Sequence, residues 1–188
     1  MGFDLSGMNP NMARPAPPLP PLGKDWGDKE KEMYTEYEKW ETENSGVYFR
    51  NNVWWWRPLW HFVSNICDNI LTDRDAEEGC MNNGHKISKT KADRIAKRLH
   101  SMIESGEVKE YEEEYKKHLA SLEQEDCGIC DATGKRQEPP NTGAGDRECN
   151  GCNGTGKKDD WAKSYPFSED NVREFANFCA NSGGFEIC

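Results

Sequence analysis

Apolar residues recur along this chain with two different periods. At both ends they alternate with polar ones: Phe3 and Leu5 with Asp4 and Ser6, and Phe185 and Ile187 with Glu186. Alternation places apolar side chains on one face of a strand. It predicts a short strand over residues 1–6 and another in the closing GFEIC, and two such strands of matching pattern can pair. Between them the period is helical. Met33, Tyr37 and Trp40 predict a charged helix over residues 28–42, stopped at Asn44–Gly46. Leu59, Phe62, Val63, Ile66 and Ile70 trace one face of a second helix, with Pro58 in its first turn. The polar, glycine-bearing stretch at 72–87 predicts a loop. Ser88 or Thr90 then caps a helix carrying Ala92, Ile95, Ala96, Leu99, Met102 and Ile103 on one side, ended by Ser105-Gly106. A further helix runs from about 108 to 123 through Tyr111, Tyr115, Leu119 and Leu122. The first of this pair is basic and the second acidic, which predicts an antiparallel helical hairpin. Ser168 caps a last helix with Val172, Phe175, Ala176 and Cys179 on its apolar side, closed by Gly183-Gly184.

Residues 8–23 are proline-rich and predict an extended polyproline II connector, within a linker reaching residue 27. Arg14, Pro17 and Pro20 have the spacing of a proline-rich peptide ligand, but such matches are common by chance, and a stiff surface linker is expected. The fold class that follows is α+β, mostly α: a helical domain with short terminal strands and one inserted module carrying two Cys-x-x-Cys pairs. Residues 1–126 form its N-terminal helical part, 127–157 the insertion, and 158–188 the helix and strand that complete the first part.

Composition narrows the function. The 188 residues carry a formal net charge of -10, with 34 acidic against 24 basic side chains. Such a chain does not suit non-specific nucleic-acid binding, which rewards a basic patch. No stretch has the apolar length of a membrane span. The opening MGFDLSGMNP has no charged region followed by an apolar run, so no secretory signal is expected, and the expected compartment is the cytoplasm of a bacterium or an infected host cell. In that setting eight cysteines point to metal ligation and free thiols, not to a disulfide framework.

The strongest chemical signal is an internal repeat. CGICDATGK at 127–135 and CNGCNGTGK at 149–157 each hold two cysteines separated by two residues, then Thr-Gly-Lys. Cys127, Cys130, Cys149 and Cys152 supply four thiolates, which suits one tetrahedral structural zinc. Glycines leave backbone amides free to point at the sulfurs, and Lys135 and Lys157 are placed to offset the negative charge. A redox role for the Cys-x-x-Cys pairs is the alternative; two equivalent pairs favour zinc. These repeats resemble the zinc knuckles of the cysteine-rich region of DnaJ-type chaperones, of pattern Cys-x-x-Cys-x-Gly-x-Gly. Cys149, Cys152, Gly154 and Gly156 match it fully, whereas the first copy has Ala132 where glycine is usual. The resemblance covers the knuckles alone; the chain has two repeats, not four, and lacks the His-Pro-Asp tripeptide, so it does not imply co-chaperone activity. The bacterial anti-TRAP inhibitors are similar in economy, folding one zinc from two such repeats and acting by binding another protein. Over its length the chain resembles a family of small proteins from tailed phages and bacteria, through MGFDLSG, YFRNNVWWWRPLW, the knuckles and SGGFEIC. That resemblance implies no particular activity.

Cys67, Cys80 and His85 are candidates for a second metal, but no close pair anchors them, and buried or idle thiols are expected there and at Cys179 and Cys188. No nucleophile–base pairing can be read from His61, His85, His100 and His118, so no catalytic residue is assigned. The aromatic segment mixes stacking surfaces with anion-binding and amide groups: Arg50, Asn52, Trp54, Trp55, Trp56 and Arg57. Three consecutive tryptophans cannot all face one core. The alternatives are a tryptophan-rich core seam, which is favoured, or a recognition site. The function expected is a zinc-binding, non-enzymatic protein-interaction protein, a candidate phage inhibitor or adaptor acting on a host protein. The alternative is a binder or sequestering protein for a small nucleotide-like anion. Neither a nucleic-acid nor a membrane partner is expected.

Overall fold

A computed structural model describes residues 2–23 and 25–188. In chain order its elements are β1 (Gly2–Gly7), α1 (Asp28–Glu43), β2 (Tyr48–Asn52), α2 (Val53–Ile66), α3 (Asp73–Glu78), β3 (His85–Ser88), α4 (Lys89–Ser105) and α5 (Glu107–Ser121). The two-residue strands β4 (Glu125–Asp126), β5 (Lys135–Arg136), β6 (Arg147–Glu148) and β7 (Lys157–Lys158) follow, then α6 (Glu169–Asn181) and β8 (Gly184–Ile187). The chain divides into two compact units: Met1–Glu112 with Phe167–Cys188, and Glu113–Pro166. No helix among the described residues is long and apolar enough to cross a membrane.

The first unit is built on a four-stranded antiparallel sheet in the order β2-β1-β8-β3. The two ends of the chain are its central neighbours, as their alternation predicts. Leu5 lies opposite both Phe49 and Ile187, and Ile87 lies opposite Phe185. These residues and Phe3 are all buried, so one face of the sheet is the floor of the core. The strands β2 and β3 escaped the sequence analysis because each has few apolar residues: Phe49 alone is buried in β2, and Ile87 alone in β3.

Over that floor packs an aromatic seam. Trp56 stacks on Phe3 at 5.4 Å and on Trp60 at 5.2 Å, and Phe175 of α6 meets both indoles edge-on. Each buried indole N–H needs an acceptor. Trp56 Nε1 donates to the Gly79 carbonyl at 2.8 Å and Trp60 Nε1 to the Ala76 carbonyl at 3.0 Å, both at the α3 end of the supposed loop. A Cβ at Gly79 would lie 2.2 Å from the Trp60 ring, so only glycine fits there.

Three expectations are corrected. The helix α2 starts at Val53, not at Pro58, because the Asn52 side chain accepts hydrogen bonds from Trp54 N and Trp55 N and so caps it earlier. Residues 72–87 are not all loop: Thr72 and Asp75 form a capping box that starts α3, and residues 85–88 join the sheet. The helix α4 packs mainly on α6, not on α5, since Ala92, Ile95, Ala96 and Leu99 match the apolar side of α6, whereas α5 buries only Val108. Opposite surface charge is too weak to decide pairing without an apolar seam. The proline-rich connector is also anchored to the first unit. Ala13 N donates to Asn44 Oδ1 at 2.8 Å, Trp40 Nε1 donates to the Arg14 carbonyl at 2.9 Å, and Pro20 is buried.

Candidate metal centre

The second unit contains both cysteine repeats. Within it β4 pairs with β7 and β5 with β6, so the strand leading into each repeat pairs with the strand leaving the other. The backbone repeats this exchange: Cys127 N donates to the Gly156 carbonyl and Cys149 N to the Gly134 carbonyl, both at 2.9 Å. The two knuckles thereby form a pseudo-twofold pair around four sulfurs.

Those sulfurs lie within 4.8 Å of one another, and all four cysteines are buried. Cys127 Sγ is 3.9 Å from Cys149 Sγ, and Cys130 Sγ is 3.7 Å from Cys152 Sγ. Four thiolates about 2.3 Å from a shared central ion would sit about 3.8 Å apart at the corners of a tetrahedron. Four buried thiols converging at this spacing constitute a site for one metal ion. Ile129 packs against the cluster and completes its apolar wall.

The Thr-Gly-Lys tails carry the geometry. Thr133 Oγ1 donates at the Cys130 and Lys135 carbonyls and accepts from Lys135 N, and Thr155 repeats the pattern at Cys152 and Lys157. This clamp turns each chain so that the glycine amide faces a sulfur: Gly156 N lies 3.3 Å from Cys152 Sγ, and the Gly134 amide bonds Cys130. A Cβ on Gly134 would lie 2.2 Å from the Gly154 carbonyl oxygen, and one on Gly156 equally close to that of Ala132. Both glycines also have positive φ, 76° each, so their identity is fixed twice over. Ala132, the one departure from the knuckle pattern, sits at φ 60°, where a side chain costs about 1–2 kcal/mol. Burial raises both the Cys130 and the Cys152 thiol. At Cys152 the Gly156 amide and the neighbouring sulfurs act against burial and lower the pKa. Lys157 pairs with Asp126 at 2.6 Å.

The other candidate residues are placed as follows. Cys67 and Cys179 are core thiols; burial pushes Cys67 up to about 11 and Cys179 also well above its ordinary value. Cys80 Sγ contacts the Ala76 carbonyl and His85 Nε2 is 3.0 Å from Asp75, so these two residues are held by protein groups. Among the described residues the four knuckle cysteines are the one group of three or more metal-ligating side chains drawn together this closely. In the aromatic segment, Arg50 lies 3.4 Å from Asp4, which also accepts from the Tyr48 hydroxyl. Asn52 serves as the α2 cap. Trp54 and Trp55 are half-buried, Arg57 is exposed, and Trp56 is fully buried in the core seam. Trp56 is therefore a packing residue and not a contact surface. One polar hub went unread: Asp75 is buried and accepts from Thr72 N and Oγ1, from Lys91 Nζ and at His85, tying α3, β3 and α4 together. Its signal was Thr72-x-x-Asp75, a capping box with aspartate at the third helical position.

No family model, curated protein or solved structure matches the chain.

Proposed function

We propose that this chain is a zinc-binding, non-enzymatic protein-interaction protein, in which the metal orders the knuckle unit. The observation that carries this reading is the closed, buried shell of four cysteine sulfurs. A tetrathiolate prefers zinc among common cellular divalent ions, and four protein ligands leave no position for substrate or activated water. The metal's part is therefore structural, worth an apparent ~10–16 kcal/mol to the fold of a small zinc module. The resemblance to phage and bacterial small proteins makes an inhibitor or adaptor acting on a host protein the natural form of such a role. The nucleotide-binding alternative has less support, because cavities of about 370 and 390 Å³ lie elsewhere and neither is lined by Arg50, Arg57 or the tryptophans.

For the recognition surface, Trp54, Trp55 and Arg57 remain candidates, since tryptophan and arginine dominate interface energies when they are accessible. The test is capture from a bacterial lysate by the intact protein and by Arg57→Ala and Trp54→Ala. Binding should fall by about tenfold or more in these variants, a cost of at least ~1.4 kcal/mol, with zinc content and melting temperature unchanged. Parallel loss of stability and binding in every variant would contradict it and assign these residues to the core seam.

A further inference from the structure

Between the paired strands β1 and β2 the chain makes an excursion of proline-rich segment and α1 that the proposed function does not use. The proline-rich part contains a triplet repeat, Pro17-Pro18-Leu19 followed by Pro20-Pro21-Leu22. It forms neither helix nor strand over residues 15–21, and its burial follows the same period. Pro17 is half-buried and Pro20 buried, while Pro18, Leu19, Pro21 and Leu22 are exposed. A polyproline II helix has three residues per turn, so this burial is what such a helix shows when one edge rests on a support.

The support is α1. Trp40 Nε1 holds the Arg14 carbonyl, Glu36 and Glu43 lie 3.5 and 3.8 Å from the Arg14 guanidinium, and Trp26 Nε1 holds the Pro21 carbonyl at 3.1 Å. The segment is thus fixed at both ends while its other two edges face solvent. Leu19 is 57% exposed and Leu22 105%. Met8, Met12 and Tyr34 add to them, so among the described residues five of the seven exposed large apolar side chains lie in this excursion. Exposed apolar side chains on an ordered segment mark candidate contact surfaces. The helix beneath carries seven acidic against three basic side chains, so the rim of the surface is negative.

We propose that residues 15–22 are a preformed docking peptide, read through Pro18-Leu19 and Pro21-Leu22 by a protein whose groove is lined with aromatic side chains and flanked by basic ones. Two apolar dipeptides about 9 Å apart suit adjacent pockets of a polyproline-reading groove, and a pre-ordered peptide loses little entropy on binding. The basic flank follows from the acidic helix beneath. The inference rests on the chain being a protein-interaction protein, but it places the contact on a different surface from Trp54, Trp55 and Arg57.

The test is titration of the full-length, zinc-loaded chain into a panel of isotope-labelled SH3, WW and EVH1 domains, followed by NMR. At least one domain should bind saturably through its aromatic groove. The exposed-site variant Leu19→Asp/Leu22→Asp should weaken that binding by about tenfold or more, with melting temperature and zinc content unchanged. Silence from the whole panel overturns the proposal. Binding that survives the leucine changes but is lost in Pro17→Ala assigns recognition to the inward edge and overturns it too. Self-association abolished by the same leucine changes, with no domain bound, assigns the surface to a second copy of the chain. Because the Trp54 and Arg57 capture assay uses other residues, each result stands whatever the other shows.

Discussion

Asp75 concentrates more of the first unit's polar organisation than any other side chain described above. Its carboxylate is 6% exposed, and burial alone would raise its pKa. The Lys91 ammonium, both Thr72 donors and His85 outweigh that and hold it well below the usual carboxylate range. A depressed carboxylate pKa contributes stability that is complete above the unfolded value, near ~3.9, and is lost as pH falls from there toward the folded value. Asp75→Asn should therefore cost about 2–3 kcal/mol at pH 7. The gap to the parent should close as the pH of thermal melts is lowered through the acid range. A gap that stays constant down to strongly acidic pH would show that the carboxylate's charge is not what counts.

At the scale of elements, closure of the chain on itself is the feature to test. The strand β8 sits between β1 and β3 and contributes Phe185 and Ile187 to the core floor. Large apolar side chains removed from a core typically cost about 2–5 kcal/mol each, against a total stability of about 5–15 kcal/mol. Deleting residues 183–188 should abolish the cooperative thermal transition of the first unit. A truncated chain melting at the parental temperature would contradict the pairing of the ends as the keystone of the sheet. The terminal strands, α1, α4, α5, α6 and the knuckles were legible in the sequence because each carries a long or repeated pattern of its own. The strands β2 and β3 were not, since one buried apolar residue apiece makes no period. The start of α2 was hidden for a different reason: Asn52 outbids Pro58 as a start signal only once its side chain is seen reaching the Trp54 and Trp55 amides. Among the tryptophans, the sequence required them to diverge but could not say which one the core takes. Phe3 and Phe175, brought in from two distant segments, and Trp60 one turn along α2 select Trp56.

For the molecule as a whole, the two units are ordered by different means. The first has a continuous aromatic and aliphatic core on an open four-stranded sheet. Among the buried residues from 113 to 166, the apolar ones are the four cysteines, with Ile129 packed beside them. Strands of two residues and so small an apolar cluster do not hold a unit of this size together. A metal ion held by the four sulfurs would supply the missing cross-link, and the glycine and threonine clamps place those sulfurs for it. The most direct measurement is the zinc content of protein purified without added metal, by elemental analysis alongside protein concentration. One zinc per chain is expected, lost in Cys127→Ser and retained in Cys67→Ser. Protein that carries no metal, two ions, or iron in place of zinc, or that keeps its zinc in Cys127→Ser, would contradict the tetrathiolate zinc centre.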